Sequence, residues 1–177
     1  MPYLTAAVIL LALLSVGHML ITLGLVRRIR TMASETASTP ATPPTLAIGA
    51  VPADFAATSD EGRVFDRTAL AGDRSLVGFF SVTCEPCKEN APRFAEYANA
   101  FGPGRVLAVI QDDDGAQARE FRQRYLPGVD TAVEGTNGPL ARAFSVEAFP
   151  TMYILDAEGR VETSAFSTTR LPQPAGA

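Results

Sequence analysis

The first part of the chain is predominantly apolar and holds no Asp, Glu, Lys or Arg, and polar residues alternate with apolar ones only later. Tyr3 to Val26 is a run of 24 residues without Asp, Glu, Lys or Arg, and Arg27, Arg28 and Arg30 follow it directly. At about 1.5 Å of rise per residue, a helix of this length reaches about 36 Å, enough to cross a hydrocarbon core of about 30 Å. The pattern predicts one N-terminal transmembrane helix with a basic flank over residues 1–30. A cleaved signal peptide is the alternative, but it would need a positively charged segment before a shorter apolar core.

Behind this anchor, the pattern changes to a polar tether and then to alternating strands and helices. Residues 31–47 are rich in Ala, Ser, Thr and Pro and have no periodic apolar face, which is typical of a linker. Residues 48–167 form the predicted domain, and residues 168–177 are expected to be a loose tail. The predicted strands are 63–66, 75–82, 106–110, 131–133, 151–155 and 160–163, and the predicted helices are 85–101, 115–125 and 139–144. This order indicates an α/β domain whose mixed β-sheet is flanked by helices.

The charge of the chain excludes one class of partner, and its histidine content excludes several kinds of catalytic site. Residues 31–177 hold 12 of the 15 basic residues and all 19 acidic ones, a formal charge of −7. A nucleic-acid-binding protein should instead present a basic face. His18 is the only histidine and lies within the predicted anchor. The domain therefore lacks the histidine of a Ser-His pair, a Cys-His pair or a zinc site, and we expect neither a metal nor another cofactor.

The two cysteines lie where the sequence turns from the predicted strand 75–82 into the predicted helix 85–101. Cys84 comes at the start of the helix and Cys87 falls in its first turn. The unpaired N–H groups and the positive end of the helix dipole favour a thiolate at Cys84 and lower the pKa of its thiol. Cys87 is one helical turn away, close enough to form a disulfide with Cys84. Such a pair can attack a disulfide in another protein and then resolve the mixed disulfide.

Two other roles for the cysteine pair fit the sequence less well. A structural disulfide across two intervening residues closes so small a loop that it removes little entropy from the unfolded chain. Half of a zinc or iron–sulfur site would need further Cys or His ligands, and the domain contains none. The position of the pair at a strand-to-helix junction therefore favours redox chemistry.

The residues beside the cysteines are expected to tune the reactivity of the pair. Glu85 places a negative charge near the Cys84 thiolate, and Lys88, the only lysine of the chain, partly offsets it. This balance predicts a centre nearer the reducing end of the scale than a strong oxidant. Pro86 suits the first helical turn, where the N–H that it lacks would have no partner.

A second feature, Phe149-Pro150-Thr151, lies just before the predicted strand 151–155. Proline is tolerated at the start of a strand, and a cis peptide bond there would present the backbone of Phe149 to a substrate for strand-like pairing. An ordinary loop proline is the alternative. We expect these three residues to bind substrate.

With these residues in place, the chain resembles the thioredoxin-like superfamily, in particular the membrane-anchored TlpA/ResA-like thiol-disulfide oxidoreductases. The resemblance covers Gly49 to about Ser164. It is carried, in family order, by Gly49–Phe55, Cys84–Lys88, Pro92, Asp112–Asp114 and Phe149–Thr151. It implies a thioredoxin-like fold, an enzyme that exchanges thiols and disulfides with a protein substrate, and a cis peptide bond before Pro150.

Three positions depart from the family pattern. Thr83 stands where a tryptophan commonly precedes the first cysteine, and Gly78 stands where thioredoxins bury an acid beneath the pair. Asn90 stands where ResA-like proteins carry a glutamate near the active site. The segment Ser81–Cys84, together with an anchor followed directly by arginines, is also similar to MauD-type proteins, which support disulfide formation in methylamine dehydrogenase maturation.

The resemblance and the charge pattern disagree about the side of the membrane on which the domain lies. Three arginines after the span favour a cytoplasmic domain by the positive-inside rule. The family places the domain outside the cytoplasmic membrane, and MauD-like anchors show the same arginines after the span. We therefore expect a single-pass membrane protein with an extracytoplasmic redox domain.

Three functions are compatible with the sequence. The leading hypothesis is a membrane-tethered enzyme whose Cys84/Cys87 pair exchanges with a protein substrate, as a reductant or in maturation of an extracytoplasmic protein. A thiol peroxidase of the AhpC/TSA kind is the second, but peroxidatic cysteines in that family follow a proline seven residues earlier, where this chain has Val77. A non-catalytic assembly or metal-carrier module is the third, and the missing domain histidine argues against copper.

Overall fold

The computed structural model of the chain describes residues 45–173 and, within the N-terminal region, Ser15. The rest of the predicted anchor over 1–30, the linker up to residue 44 and the end of the tail lie outside the described residues. In the part of the chain that is described, no helix has both the length and the apolar character needed to cross a bilayer.

Residues 45–173 form the α/β domain that the sequence predicts, and every predicted strand and helix is present. In chain order, the strands are β1 (Ala56–Thr58), β2 (Val64–Asp66), β3 (Ser75–Ser81), β4 (Val106–Gln111), β5 (Thr131–Glu134), β6 (Thr151–Leu155) and β7 (Val161–Ala165). The helices are α1 (Arg67–Leu70), α2 (Glu85–Ala98), α3 (Ala118–Tyr125) and α4 (Pro139–Ala143), and a 3₁₀ turn follows β7 at Thr168–Arg170.

Five of the strands form one mixed sheet in the order β5-β4-β3-β6-β7. β3, β4 and β5 run parallel to one another, whereas β6 is antiparallel to both β3 and β7. Because parallel strands end at the same edge of a sheet, the turns after β3, β4 and β5 lie along one edge, where β6 begins. The two cysteines and the loop before β6 therefore meet at this edge.

Apolar side chains cover both faces of the sheet, which is why every residue of β3 is buried. On one face, Phe80 of β3 packs edge-to-face against Phe94 of α2. On the other face, Phe79 packs against Phe144 and Tyr153. A strand buried on both sides needs a continuous apolar run rather than an alternating one, and the sequence of β3 has this pattern.

Tyr153 ties the start of the domain to its core. Its buried hydroxyl donates to the carbonyl oxygen of Phe144 at 2.8 Å and accepts a hydrogen bond from the amide of Leu46 at 3.3 Å. Burial raises the pKa of Tyr153 above its ordinary value, against a smaller opposing effect of the Leu46 amide. The hydroxyl therefore stays protonated and remains a donor at neutral pH.

The first residues of the domain cover the two outer edges of the sheet. At β7, the amide of Gly49 donates to the carbonyl of Val161 at 2.7 Å, and the amide of Val161 donates to the carbonyl of Ala50 at 2.8 Å. At β5, the amide of Asp60 donates to the carbonyl of Thr131 at 2.8 Å. The amide of Thr131 donates in return to the carboxylate of Asp60 at 3.0 Å. These bonds satisfy backbone groups that an exposed edge strand would leave open.

The helix predicted from Gly115 begins later in the structure. The buried carboxylate of Asp112 accepts hydrogen bonds from the amides of Gln117 and Ala118, both at 2.7 Å, and so sets the start of α3. The next acid, Asp113, accepts hydrogen bonds from the amide and hydroxyl of a residue beyond β5 instead. One acid of the run therefore caps the helix, and the residues between form a turn.

Short elements and the chain end also differ from the sequence prediction. β1 and α1 contain only 3 and 4 residues, too few to show a hydrophobic period, and the sequence prediction omits both. α2 ends at Ala98 and not at residue 101. The described part of the predicted loose tail is packed, because Thr168–Arg170 forms a 3₁₀ turn and Leu171 is buried in the core.

Aromatic rings fill the space beside Gly78, the position where thioredoxins bury an acid. A Cβ atom at Gly78 would lie 2.5 Å from Cε2 of Phe94 and 2.8 Å from Cε2 of Phe80. Neither a methyl group nor a carboxylate fits there without displacing a buried ring. Glycine at this position is therefore required by the close approach of α2 to the sheet.

We predict that Gly78→Ala lowers the free energy of unfolding by about 1–3 kcal/mol, because it overpacks the core against the two rings. Gly102→Ala is the matched control, since a Cβ atom at this exposed glycine meets nothing closer than Cγ of Arg105 at 3.9 Å. The control should change stability by no more than about 0.5 kcal/mol. Urea unfolding measures both changes in stability, provided that the variants have equal m values. Equal midpoints for Gly78→Ala and Gly102→Ala would contradict the packing argument.

Candidate active site

Cys84 and Cys87 form a disulfide at the junction of β3 and α2, with their Cα atoms 5.2 Å apart. Cys84 is partly exposed, whereas Cys87 is completely buried in the core between the sheet and α2. A second protein can therefore reach the sulfur of Cys84 and not that of Cys87. The two sulfurs of the pair therefore differ in their access to a second molecule.

The start of α2 places a hydrogen-bond donor at the sulfur of Cys84. Cys84 is the N-cap residue of the helix, in an extended conformation, and its Sγ accepts a hydrogen bond from the amide of Cys87 at 3.2 Å. Pro86 lies in the first turn and has no amide hydrogen to leave unpaired. In the reduced protein, the same amide and the helix dipole stabilise a thiolate on Cys84.

A second amide, that of Ser81, points at the sulfur of Cys87. It donates to Cys87 Sγ at 3.5 Å. The pairing of β3 with β6 ends at Phe79 and Thr151, so the Ser81 amide lies beyond the last paired residues of the two strands. The buried sulfur takes the place of the missing strand partner. Each sulfur atom of the pair therefore accepts a hydrogen bond from a backbone amide.

The loop before β6 faces Cys84, and the peptide bond between Phe149 and Pro150 is cis, as the family resemblance implies. The carbonyl oxygen of Phe149 lies 3.5 Å from Cys84 Sγ. Thr151 is completely buried, and its hydroxyl donates to the carbonyl of Ala148 at 2.6 Å. Of the three residues predicted to bind substrate, Phe149 thus presents its backbone at the sulfur, and Thr151 holds the loop from inside.

The charged residues predicted to tune the pair form an ion pair with each other. Nζ of Lys88 lies 2.9 Å from the carboxylate of Glu85. The hydrogen bond to Glu85, and then its charge, raise the pKa of Lys88 above the ordinary value. Both side chains are at least partly open to solvent, so water and salt screen their effect on Cys84.

A polar groove of about 230 Å³ opens beside Thr83, the residue before Cys84. Its lining includes the exposed acids Asp113 and Asp114 and the hydroxyl-bearing Thr136. The surface on this side of the reactive sulfur is therefore acidic. Among the described residues, no group of three His, Cys, Asp or Glu side chains is arranged to hold a metal ion.

Two contacts of the site were not evident from the sequence. The amide of Ser81 reaches Cys87 only because β6 stops short of the end of β3, which strand register shows and residue type does not. The side chain of Asn90 donates to the carbonyl of Pro86, between the cysteines, at 2.9 Å. Asn90 departs from the ResA-like pattern, but its residue type does not indicate this partner.

The fold and the site together define the class. An accessible cysteine caps a helix that follows a buried strand, its buried partner lies one turn on, and a cis-proline loop faces the pair at the edge of a mixed sheet. This is a thioredoxin-like redox domain. The AhpC/TSA family model matches residues 48–164, more than half of the chain, so the protein belongs to the AhpC/TSA family.

Individual relatives agree with this class. The chain is 26% identical over 111 residues to the thiol-disulfide oxidoreductase ResA of Bacillus subtilis, covering 61% of each protein. It is 23% identical over 116 residues to the protein of the same name from Bacillus thuringiensis subsp. konkukian, covering 64% of this chain and 66% of the relative. The chain thus spans somewhat less than two thirds of the length of these curated relatives.

A solved structure shares the fold at low identity. The thioredoxin domain of a thiol-disulfide oxidoreductase from Bacteroides vulgatus superposes with a TM-score of 0.60 at 17% identity. The superposition covers 70% of this chain and 91% of that structure. It supports the thioredoxin-like assignment of the described domain.

We predict that the two charged residues beside Cys84 change its reactivity in opposite directions. In a Cys87→Ser background, Lys88→Gln should slow alkylation of Cys84 by iodoacetamide about twofold at neutral pH, and Glu85→Gln should accelerate it about twofold. Both effects should shrink as salt is added. The control is Glu89→Gln, which removes an exposed acid further along α2 and should have less effect. Equal rates in all variants would show that the ion pair does not act on the sulfur.

Proposed function

We propose that the protein is a membrane-tethered thiol-disulfide oxidoreductase that exchanges the Cys84/Cys87 pair with a protein substrate. The observation that carries this proposal is the asymmetry of the pair. Cys84 is accessible and lies 3.5 Å from the Phe149 carbonyl, whereas Cys87 is buried directly behind it. A structural disulfide would need neither an exposed sulfur nor a substrate-facing loop.

The exchange proceeds in two steps whose atoms and electrons balance. The Cys84 thiolate attacks one sulfur of a substrate disulfide, a mixed disulfide forms, and the other substrate sulfur leaves as a thiolate that takes up a proton. The Cys87 thiol then loses its proton and attacks Cys84 Sγ, which releases the second substrate thiolate. The enzyme ends as the Cys84–Cys87 disulfide and the substrate as a dithiol, so two electrons pass to the substrate.

Backbone amides assist both steps. The Cys87 amide stabilises the attacking thiolate of Cys84, and the Ser81 amide is placed to do the same for Cys87. An extended substrate segment can pair with the backbone at Phe149, which aligns its disulfide with Cys84 Sγ. Binding through the backbone suits substrates of varied sequence.

In this proposal, electrons flow from the enzyme to the substrate. The enzyme acts as a reductant or takes part in the maturation of an extracytoplasmic protein. Glu85 disfavours a thiolate on Cys84, and Lys88 is engaged with that carboxylate at 2.9 Å rather than free beside the sulfur. A less stable thiolate makes the dithiol form a better reductant. An upstream donor must return the enzyme disulfide to the dithiol after each turnover.

The tether and the side of the membrane rest on the sequence. The charge-free run from Tyr3 to Val26 supports a single transmembrane helix, and residues 31–47 supply a linker to the domain. An extracytoplasmic domain follows from the resemblance to TlpA/ResA-like and MauD-type proteins. It stands against the arginines at 27, 28 and 30, which favour the opposite orientation.

We predict that Cys84→Ser abolishes reduction of insulin disulfides, because the attacking sulfur is gone. Cys87→Ser should instead accumulate a mixed disulfide with substrate, because Cys84 still attacks and nothing resolves the adduct. Turnover with a thiol donor and mass spectrometry of the adduct measure the two outcomes. The chain has only 2 cysteines, so the variant lacking both is the blank.

The wild type and the cysteine variants also distinguish the alternative functions. Retained turnover in Cys84→Ser would refute the assignment of Cys84. Rapid consumption of hydrogen peroxide by the reduced wild type, without reduction of insulin, would favour a thiol peroxidase. Against that function, Val77, which is buried in β3, stands where a proline precedes the peroxidatic cysteine of AhpC/TSA-type peroxidases. A reduced protein that binds copper or zinc and exchanges no disulfide would favour a carrier module.

We predict that protease added to bacterial spheroplasts digests the domain of the full-length chain, because the domain faces outward. Replacement of Arg27, Arg28 and Arg30 with Gln tests the conflict with the positive-inside rule. Removing these charges should leave the digested fraction unchanged or raise it. A domain that is protected in intact spheroplasts and digested after lysis would place it in the cytoplasm.

A further inference from the structure

The side chain of Asn90 joins the turn between the cysteines to the chain beyond β7. Its Nδ2 donates to the carbonyl oxygen of Pro86 at 2.9 Å. Its Oδ1 accepts from the amide of Thr168 at 3.2 Å and lies 3.5 Å from the hydroxyl of the same residue. Because one partner is an acceptor and the other a donor, only one orientation of the amide satisfies both.

The segment that Asn90 contacts, residues 168–172, is packed along α2, and we call it the C-terminal brace. Thr168 and Leu171 are both buried, and Leu171 lies in the same core cluster as Cys87. At the far end, the hydroxyl of Tyr97 on α2 donates to the carbonyl of Pro172 at 2.5 Å. The brace is therefore attached to α2 at both ends, and one of these attachments reaches the redox turn.

Pro92 weakens the connection between the start of α2 and the rest of the helix, so an attachment to the brace can steady the first turns. Pro92 lies inside the helix and cannot donate the hydrogen bond that would join it to the carbonyl four residues earlier. The first turns of α2, which carry the cysteines, are therefore joined less strongly to the rest of the helix. In the oxidised protein the disulfide itself restrains this turn, and after reduction that restraint is gone.

We propose that Asn90 is a positioning residue that holds the reduced Cys84–Cys87 turn against the C-terminal brace and thereby lowers the reduction potential of the pair. Holding the turn keeps the two sulfurs close after reduction, which raises the effective concentration of one thiol for the other and favours the disulfide. The inference rests on the proposed function, because it concerns the same pair. It assigns part of the redox tuning to a residue that touches neither sulfur.

The first test compares Asn90→Leu with the wild type. Leucine keeps most of the volume of asparagine but removes both hydrogen bonds. The full-length chain in detergent is equilibrated with mixtures of reduced and oxidised glutathione, and the fraction of disulfide is read by alkylation and mass spectrometry. The equilibrium constant for disulfide formation should fall about three- to tenfold, which raises the potential by about 15–30 mV.

Two further variants separate the link from a general effect of mutation. Asn90→Ala removes both hydrogen bonds without adding a charge near the sulfurs, so it should also raise the potential. Asn99→Leu changes an exposed asparagine just past the other end of α2 and should leave the potential unchanged. A wild-type potential in both Asn90 variants, or an equal shift in Asn99→Leu, would overturn the proposal.

The second test needs no substitution and therefore holds even if the variants fail to fold. If the link favours the disulfide, linkage requires that the disulfide favour the link by the same factor. The amide of Thr168, which donates to Asn90, should then exchange its hydrogen about three- to tenfold more slowly in oxidised than in reduced wild type. Equal exchange in the two redox states would show that the contact is purely structural.

These outcomes are distinguishable from failure of the proposed function. The glutathione equilibrium and the hydrogen exchange involve no protein substrate. A chain that responds as expected in both tests but does not reduce insulin would refute the proposed function and leave the role of Asn90 standing.

Discussion

Two backbone amides at the end of β3 and the start of α2 determine how the cysteine pair works. The amide of Cys87 points at Cys84 Sγ, and the amide of Ser81 points at Cys87 Sγ. Backbone donors keep their position whatever the neighbouring side chains are, and they stabilise negative charge without titrating themselves. The reactivity of the pair is therefore a property of the turn from strand to helix, and the domain around it serves to hold that turn in place.

The part of the core that lies beneath the cysteine pair is apolar, and the charged side chains near the pair lie elsewhere. Gly78 lets the ring of Phe94 lie against the sheet at a point where a Cβ atom would be only 2.5 Å away. A buried carboxylate in this position would have to be desolvated without a cationic partner, which is costly. The ionised residues next to the pair in the sequence, Glu85 and Lys88, lie instead on the solvent side and form an ion pair with each other.

Local patterns in the sequence predict most of the fold and the centre of the site. The unbroken apolar run of β3 and the period of α2 are long enough to identify their types, and the cysteines lie at the junction between them. β1 and α1 are too short to show a period, and α3 begins late because the Asp112 side chain, not the backbone pattern, sets its start. Contacts between distant residues have no local signal. The approach of Phe149 to Cys84 is predicted only on the condition that the peptide bond before Pro150 is cis, which the family resemblance implies. The bond from Asn90 to Thr168 was not expected at all.

The first residues of the domain limit where another chain can pair with the outer strands of the sheet. Gly49 and Ala50 occupy backbone groups of β7, and Asp60 occupies those of Thr131 in β5, so a neighbouring molecule cannot extend the sheet at these positions. Such protection hinders copies of the domain from joining strand to strand, a common route to aggregation. In the function proposed above, an extended substrate would pair instead with the backbone at Phe149, whose carbonyl lies beside the sulfur of Cys84.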